Sequence, residues 1–312
     1  MKTPKFIEGN VPKGYKIGFD VSVFNTMAHH YTQSPSGWRS YHLVREDKKL
    51  VLASVHFCIK KRIAYSPLSA PFGAYEFSKS LPVADLFDFM QKCELSLKKS
   101  ASRIVFKLAP AAYDQQAHDI QSVLLTNQNF RITNAELGAC ISIDSLDFDM
   151  KIDNWERRRL KQAKKEALIC RPLLKKDLPH VYDFISSCRE EKGHELSMTS
   201  TQLQKTVDAV VKSFQLFGVF RQRKLIAASI SIRVTDKILY NFYSAHVQAE
   251  DAVSPMVYLI SEMYKWGRAN SISLLDLGTS ALGGIPNFSL IDFKLRLGAA
   301  PTMKLFFEKD LK

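Results

Sequence analysis

The chain has 312 residues, 46% of them apolar, with 44 Lys/Arg against 31 Asp/Glu and a formal net charge of +13; that length supports two domains of about 150 residues, each with its own core. No secretory apolar core follows Met1-Lys2-Thr3-Pro4-Lys5, and no apolar run approaches the roughly 18 residues of a membrane span. The five cysteines (Cys58, Cys93, Cys140, Cys170, Cys188) are odd in number and lack a Cys-x-x-Cys pair, so a soluble protein of the reducing cytoplasm is expected, without disulfide framework, transmembrane segment or metal site.

The first regular pattern is a meander. A charged turn, Arg45-Glu46-Asp47-Lys48, leads into the β-branched run Lys49-Leu50-Val51-Leu52-Ala53-Ser54-Val55-His56-Phe57, and a second turn leads into a strand containing Ile63 and Tyr65. Residues 80–99 then carry Val83, Leu86, Phe87, Phe89, Met90, Leu95 and Leu97 at helical spacing, and 103–108 form a strand.

Residues 151–166 are the most basic stretch and a good helix former, with Asp153 or Asn154 as cap and only Trp155, Leu160 and Ala163 as an apolar stripe. Dividing the chain at residue 150 gives 18 Lys/Arg against 14 Asp/Glu before it and 26 against 17 after it, so the excess charge gathers in the second part. A helix of this kind either attracts a polyanion, such as RNA, the diphosphate of a nucleotide-linked substrate or an acidic membrane face, or is a solvated connecting helix.

Beyond it the opening pattern returns. Lys224-Leu225-Ile226-Ala227-Ala228-Ser229-Ile230-Ser231-Ile232 aligns without a gap on residues 49–57, and the same offset places Ile238 on Ile63 and Tyr240 on Tyr65. Ser254 and Pro255 open a helix to about residue 270 through Val257, Leu259, Ile260, Met263, Tyr264 and Trp266. A strand follows at 273–277, a helix at 288–297 and a last strand at 303–307. The repeat spacing is too long for a solenoid, so two duplicated α/β domains with mixed sheets are expected, at 1–148 and 149–312.

Trp155-Glu156-Arg157-Arg158-Arg159-Leu160-Lys161-Gln162-Ala163-Lys164-Lys165 resembles the basic helix that opens the second domain of the Fem-type aminoacyltransferases and their relatives among tandem GNAT-fold acyltransferases. Leu275-Asp276-Leu277-Gly278-Thr279-Ser280, followed by Asn287, Leu290 and Phe293-Lys294-Leu295-Arg296-Leu297-Gly298-Ala299, is similar to that group's C-terminal signature. The resemblance implies two GNAT-like (acyl-CoA N-acyltransferase-like) domains. It also implies transfer of an acyl or aminoacyl group to an amine acceptor in an interdomain cleft, with the active site in the second domain and the first domain structural and acceptor-binding. In GNAT folds the central strands splay apart to free a backbone N–H for the donor carbonyl. Here that opening is expected between 240–246 and 274–277.

The resemblance makes Lys294 the first catalytic candidate, bringing positive charge to the oxyanion or leaving group. Asp276, Tyr243, Glu191, His194 and His246 are candidates for the proton acceptor, with water or the substrate as alternatives. Phe293, Asn287 and Ser280 are expected at the substrate, as are Trp38, Arg39 and Tyr41 of the first domain, where aromatics lie near arginine and near the His29-His30 pair. Arg157, Arg158, Arg159 and Lys161 are expected to meet a polyanion or the donor, and Gly283-Gly284 to form a loop over the cleft or a turn.

One segment departs from the GNAT pattern. The connection Val247-Gln248-Ala249-Glu250-Asp251-Ala252-Val253-Ser254-Pro255 has no glycine and two carboxylates, where a CoA-binding loop presents backbone N–H groups to pyrophosphate. Acyl-CoA and aminoacyl-tRNA both remain open as donor. A non-catalytic double-GNAT protein that binds RNA or another polyanion on its basic face is the alternative.

Overall fold

The structure, a computed structural model, describes residues 3–282 and 285–311, so the Gly283-Gly284 loop lies outside the described residues. Two compact units divide the chain: one runs to Glu136 and takes in the residues from Met303, and the other is Leu137–Thr302.

In the first unit, strands β1 (Lys5–Glu8), β2 (Trp38–Arg45), β3 (Leu50–Lys60), β4 (Ile63–Ser66) and β5 (Arg103–Lys107) lie side by side. All neighbours are antiparallel except β4 and β5, which helix α1 (Val83–Leu97) connects in parallel. The apolar face of α1 (Leu86, Phe89, Met90, Cys93, Leu97) is buried with Leu43, Val55, Phe57, Ile104 and Phe106 in one core. Helix α2 (Gln115–Asn127) follows, and the chain then leaves this unit within β6 (Arg131–Ser142).

The second unit adds α3 (Asn154–Lys165), β7 (Ile169–Leu173), α4 (Leu178–Glu190), α5 (Ser200–Ala209), β8 (Phe214–Arg221), β9 (Lys224–Thr235), β10 (Ile238–His246), α6 (Pro255–Ala269), β11 (Leu274–Thr279) and α7 (Phe288–Arg296). Its strands run β6-β11-β10-β9-β8-β7, again antiparallel apart from the helix-linked pair β10 and β11. Val257, Leu259, Ile260, Met263 and Tyr264 of α6 are buried against Leu239, Ile226, Phe217, Leu275 and Ile141. The final strand β12 (Ala300–Asp310) returns the chain to the first unit, where residues 306–310 pair with 103–107 of β5.

Meander, helix and parallel strand thus recur in the same order in both units. The aligned residues Ile63 and Ile238 each begin the strand that enters the parallel pairing, opposite Arg103 and Leu274 respectively. Both meanders also turn through two residues with positive φ, Lys61-Arg62 and Gln222-Arg223, whose twist matches the flanking strands. Among the described residues no helix is long and apolar enough to cross a membrane, no group of His, Cys, Asp and Glu is arranged to hold a metal ion, and the cysteines are free thiols.

The first unit buries a group of histidines. His30 stacks on Trp38 (ring centroids 4.0 Å apart) and lies 4.9 Å from His56, which is 5.6 Å from His42. The Nδ1 atoms of His42 and His56 meet the hydroxyls of Ser54 and Ser40 at 2.7 and 2.8 Å. Burial pushes His29, His30 and His42 down to about 4, and His56 well below its ordinary value. Stability from these groups is therefore complete above the unfolded value of about 6.5 and is lost as pH falls through it. Glu76, which burial pushes up to about 7, works in the opposite direction and offsets about one of them. At about 1.4 kcal/mol per proton per pH unit, the remainder removes about 4 kcal/mol per unit, enough to exhaust ordinary stability within a few units. Urea unfolding monitored from pH 7.5 downward is expected to show stability falling from about pH 6.5, and the slope becomes shallower in His42→Gln. A flat profile between about pH 6.5 and 5 contradicts this assignment.

Candidate active site

A cavity of about 990 Å³ opens in the second unit, and the residues lining it come from α4 and the turn after it, β10, the start of α6, the end of β11, and α7. Its origin is an interrupted ladder. Strands β10 and β11 pair only from Ile238–Leu274 to Tyr240–Asp276. Immediately beyond, each carries one extra residue relative to its other neighbour. On β10 the partners step from Ile230–Tyr243 to Ser231–Asn241, which leaves Phe242 as a bulge. On β11 they step from Asp276–Cys140 to Thr279–Gly138, across Leu277 and Gly278. A bulge bends its strand and increases its twist, so two at the same level turn adjacent strands apart. Residues 240–246 and 277–279 then line the cavity; the β10 side matches the expected opening, whereas on β11 residues 274–276 are still paired and the opening begins only at Leu277.

Gly278 is required at this place. Its φ is +76°, and a Cβ there would sit 3.3 Å from Cε2 of Tyr240. The turn is held by the buried carboxylate of Asp276, whose Oδ1 accepts the Gly278 N–H at 2.6 Å. Lys294 completes the arrangement: its Nζ donates to the carbonyls of Gly278 and Thr279 at 2.8 and 3.0 Å. Two of three ammonium protons are thereby fixed, leaving one for a group in the cavity. Helix α7 places the lysine there. Asn287 caps it by accepting the Leu290 N–H at 3.1 Å, and Gly298, with φ of +76°, ends it just after Lys294 in the last turn. Burial lowers Lys294 to about 8, partly opposed by attraction to Asp276 and Cys140.

Bulge Phe242 also brings polar groups together. By inserting one residue it puts Asn241 and Ser244 on one face of β10, opposite Ser231 and Ser229 of β9. The Ser229 hydroxyl donates to Asn241 Oδ1 at 2.6 Å, and Asn241 Nδ2 donates to Ser244 Oγ at 3.0 Å. Ser244 lines the cavity with its hydroxyl proton uncommitted to that chain.

The other expected residues divide clearly. Phe293, Asn287, Tyr243, His194, His246 and Arg159 line the same cavity as Lys294, whereas Asp276, Ser280, Glu191, Arg157, Arg158 and Lys161 are not among its lining residues. Tyr243 donates or accepts at 2.5 Å with Ser197, and burial raises its phenol above the ordinary value, so it keeps its proton at neutral pH. Ser280 is 2% exposed, and its hydroxyl has no partner among the described residues. His246 is oriented by Asp251, Nε2 to Oδ1 at 2.5 Å, leaving Nδ1 as its lone-pair nitrogen, and burial lowers its pKa below the ordinary value against the pull of Asp251. No sequence signal separated His246 from the other candidates, because its carboxylate partner lies in the glycine-free connection that had been singled out for what it lacks.

That connection forms a 3-10 helix over Gln248–Val253, with its two carboxylates engaged: Asp251 by His246 and Glu250 by Arg221 at 3.0 Å. Ser254 is left-handed at φ 54° and makes no side-chain cap; its Oγ instead accepts from Arg159 Nε at 2.9 Å. Arg159 and Arg296 both bind the fully buried carboxylate of Glu156, at 3.4 and 3.1 Å, tying α3 to α7. Arg157 is spent on the carbonyls of Asp149 and Ile152. The exposed side of α3 carries Trp155, Arg158 at 5.5 Å from its ring, Lys161 and Lys165, together with Asn154, Gln162 and Lys164, the last paired with Asp149 at 3.2 Å.

Trp38, Arg39 and Tyr41 belong to the first unit. Tyr41 is 1% exposed within that unit's core, with its hydroxyl on Ser96 at 3.2 Å. Trp38 is half-buried, donates Nε1–H to the Ser34 carbonyl at 3.0 Å and stacks on His30, while Arg39 is exposed 3.9 Å from Glu8.

The placement of Lys294 is checked by its titration. In a carbon-13 spectrum of lysine-labelled protein, two Cε resonances, those of Lys175 and Lys294, are expected to titrate near pH 8, and only one of them vanishes in Lys294→Ala, while surface lysines titrate near 10.4. A Lys294 resonance that titrates with the surface lysines means the ammonium stands in water.

No family model and no curated protein matches the sequence. Solved structures do. FemX superposes with a TM-score of 0.72 at 12% identity, covering 94% of this chain and 93% of its own. L-PGS from Bacillus licheniformis gives 0.55 at 10% identity over 87% and 83%. A tandem GNAT protein from the clavulanic acid biosynthesis pathway gives 0.50 at 7% identity over 88% and 83%. The fold of this chain is thus the Fem-like pair of GNAT-type domains.

Proposed function

We propose that this protein is an N-acyltransferase or aminoacyltransferase whose reaction takes place at Lys294. The observation that supports it most is a buried ammonium with one free proton beside strands that have turned apart, a combination that costs stability and is explained by a reacting carbonyl. In the proposed step the amine nitrogen of the acceptor attacks the acyl carbon. A carbon–nitrogen bond forms and the bond from that carbon to the donor's oxygen or sulfur breaks. Negative charge on the carbonyl oxygen is met by Lys294 and by backbone N–H groups of the bulged β10 strand.

The attacking amine must shed a proton, and Nδ1 of His246, neutral at pH 7 and oriented by Asp251, accepts it. Asp276 acts as a positioning residue through the Gly278 turn, and Tyr243 as a hydrogen-bond donor. Phe293 and Asn287 contact substrate from α7. The first unit serves as the structural and acceptor-binding half, with Trp38 and Arg39 as its binding side chains and Tyr41 supporting them from the core. The donor is an acyl-CoA or an aminoacyl-tRNA; Trp155, Arg158 and Lys161 form a face suited to the latter, since a base stacks on an exposed ring and lysines meet phosphate.

The test is turnover with acetyl-CoA, longer acyl-CoAs and aminoacyl-tRNA, with a panel of amines. Lys294→Ala is expected to lower kcat by about 10²–10³ while the melting temperature is retained. The wild-type pH profile should be bell-shaped, with its acid limb below about 6.5 from His246 and its alkaline limb near 8 from Lys294, since Lys294 must be charged. Undiminished turnover in Lys294→Ala, or no transfer from any of these donors, overturns the reading. The second outcome, joined to a salt-steep RNA affinity lost in Arg158→Ala/Lys161→Ala, would favour a binding protein.

A further inference from the structure

The side chains lining the cavity are sorted by element. The part contributed by α4 and the turn after it is polar, with Lys192, His194, Glu195, Ser197 and Arg189, whose guanidinium carbon lies 5.6 Å from the centroid of the Tyr243 ring. The part contributed by α6, β11 and α7 is different. Apart from Lys294 and Thr279, every side chain these three elements present to the cavity is apolar, with Met256, Val257 and Ile260 from the first turns of α6, Leu277 from β11, and Leu290 and Phe293 from α7.

Helix α7 sets this apolar wall around the ammonium. Leu290, Phe293, Lys294 and Leu297 follow at i, i+3, i+4 and i+7, so they share one helix face, and all of them line the cavity. Long helical side chains lean toward the N-terminus, so the stem of Lys294 leans toward the turn that holds Leu290. Phe293 is half-buried against the core of the unit, whereas Leu290 is 36% exposed and is not packed into that core. A lone exposed leucine is ordinary, but this one extends a continuous run of apolar side chains inside a cavity. An ordered water needs about two to four polar partners, which these side chains do not offer. What covers the wall best is therefore the apolar part of a ligand.

We propose that this wall holds the body of the transferred group, and that the group is an acyl or aminoacyl residue with an apolar chain of about four to eight carbons, since Leu290 and Leu297 are about 10 Å apart along the helix. The carbonyl oxygen that Lys294 meets belongs to the donor, so the apolar side chains within one turn of Lys294 on the same face lie beside the carbon chain attached to that carbonyl. The attacking amine comes instead to His246 on β10. The class takes in medium-chain acyl-CoA and leucyl- or phenylalanyl-tRNA, and it leaves out acetyl, glycyl and seryl groups, which would leave the wall uncovered. The identity of the acyl group rests on the acyl-transfer reading, whereas binding of an apolar chain along α7 does not.

Straight-chain carboxylates test this without turnover, because the carboxylate stands in for the oxyanion at Lys294 and the tail for the acyl chain. In full-length protein with carbon-13 leucine methyls, hexanoate is expected to move the Leu277, Leu290 and Leu297 resonances. It should bind about thirtyfold or more tightly than acetate, each buried methylene adding about three- to fourfold. Leu290→Ser, at a position exposed enough to spare folding, should weaken hexanoate by about fivefold or more. Affinity that does not rise with chain length, shifts confined to other leucines, or a loss of less than about twofold in Leu290→Ser overturns the proposal. In turnover, hexanoyl-CoA should exceed acetyl-CoA in kcat/KM, or leucyl-tRNA exceed glycyl-tRNA, by about tenfold or more. If acetyl or glycyl donors are preferred, the apolar site fails and the acyl-transfer reading stands. If hexanoate binds at these leucines while no donor supports transfer, the acyl-transfer reading fails and the apolar site stands.

Discussion

The structure depends on a sheet that is prevented from closing. Strands β10 and β11 are ordinary parallel neighbours for three residue pairs, and then an extra residue on each, Phe242 on one and the Leu277-Gly278 step on the other, turns them apart. Continued pairing would satisfy more backbone groups. The opening persists because other groups take up the released ones. Asp276 accepts the Gly278 N–H, Lys294 donates to the carbonyls of Gly278 and Thr279, and the Ser229–Asn241–Ser244 chain fixes polar groups that the bulge brings onto one face. A buried lysine is thus both the support of the opening and the charge within it.

This double use explains why the surroundings of Lys294 are so heavily braced. A desolvated ammonium holds its position only if its helix is fixed at both ends. Helix α7 has a side-chain cap at Asn287 and a left-handed glycine at Gly298, and its Arg296 is tied to the fully buried Glu156. Helix α3, so basic in sequence, is committed on its inner side to the same carboxylate through Arg159. Charge that looks like a single polyanion-binding run is divided by the helix period into an inward bracing set and an outward face carrying Trp155, Arg158, Lys161 and Lys165.

The architecture was legible because it rests on periodicity and repetition. The matching apolar runs at 49–57 and 224–232, the α1 stripe Leu86, Phe89, Met90 and Cys93, and the Val257, Ile260, Met263 and Tyr264 stripe of α6 are local patterns, and local patterns fix local structure. The neighbourhood of Lys294 was readable through the order of Asp276, Gly278, Asn287 and Phe293 around it. The partners were not readable. Nothing in 303–307 states which strand it will pair with, and its place beside β5 follows from long-range packing. Likewise the His246–Asp251 pair, the stacking of Arg189 on Tyr243 and the burial of Glu156 join positions whose meeting is decided by the sheet, and side-chain identity alone carries no such information.

The most direct measurement of the central claim is amide hydrogen exchange along β10, resolved residue by residue in the free protein. An opened strand predicts strong protection at Ile238–Tyr240 on both edges. From 241 to 246 it predicts alternation, with amides facing β9 protected and those facing the gap exchanging at least about a hundredfold faster. Uniform protection from 238 to 246 would mean that β10 and β11 stay zipped together in solution, leaving neither room for a carbonyl nor a reason for Lys294 to be buried.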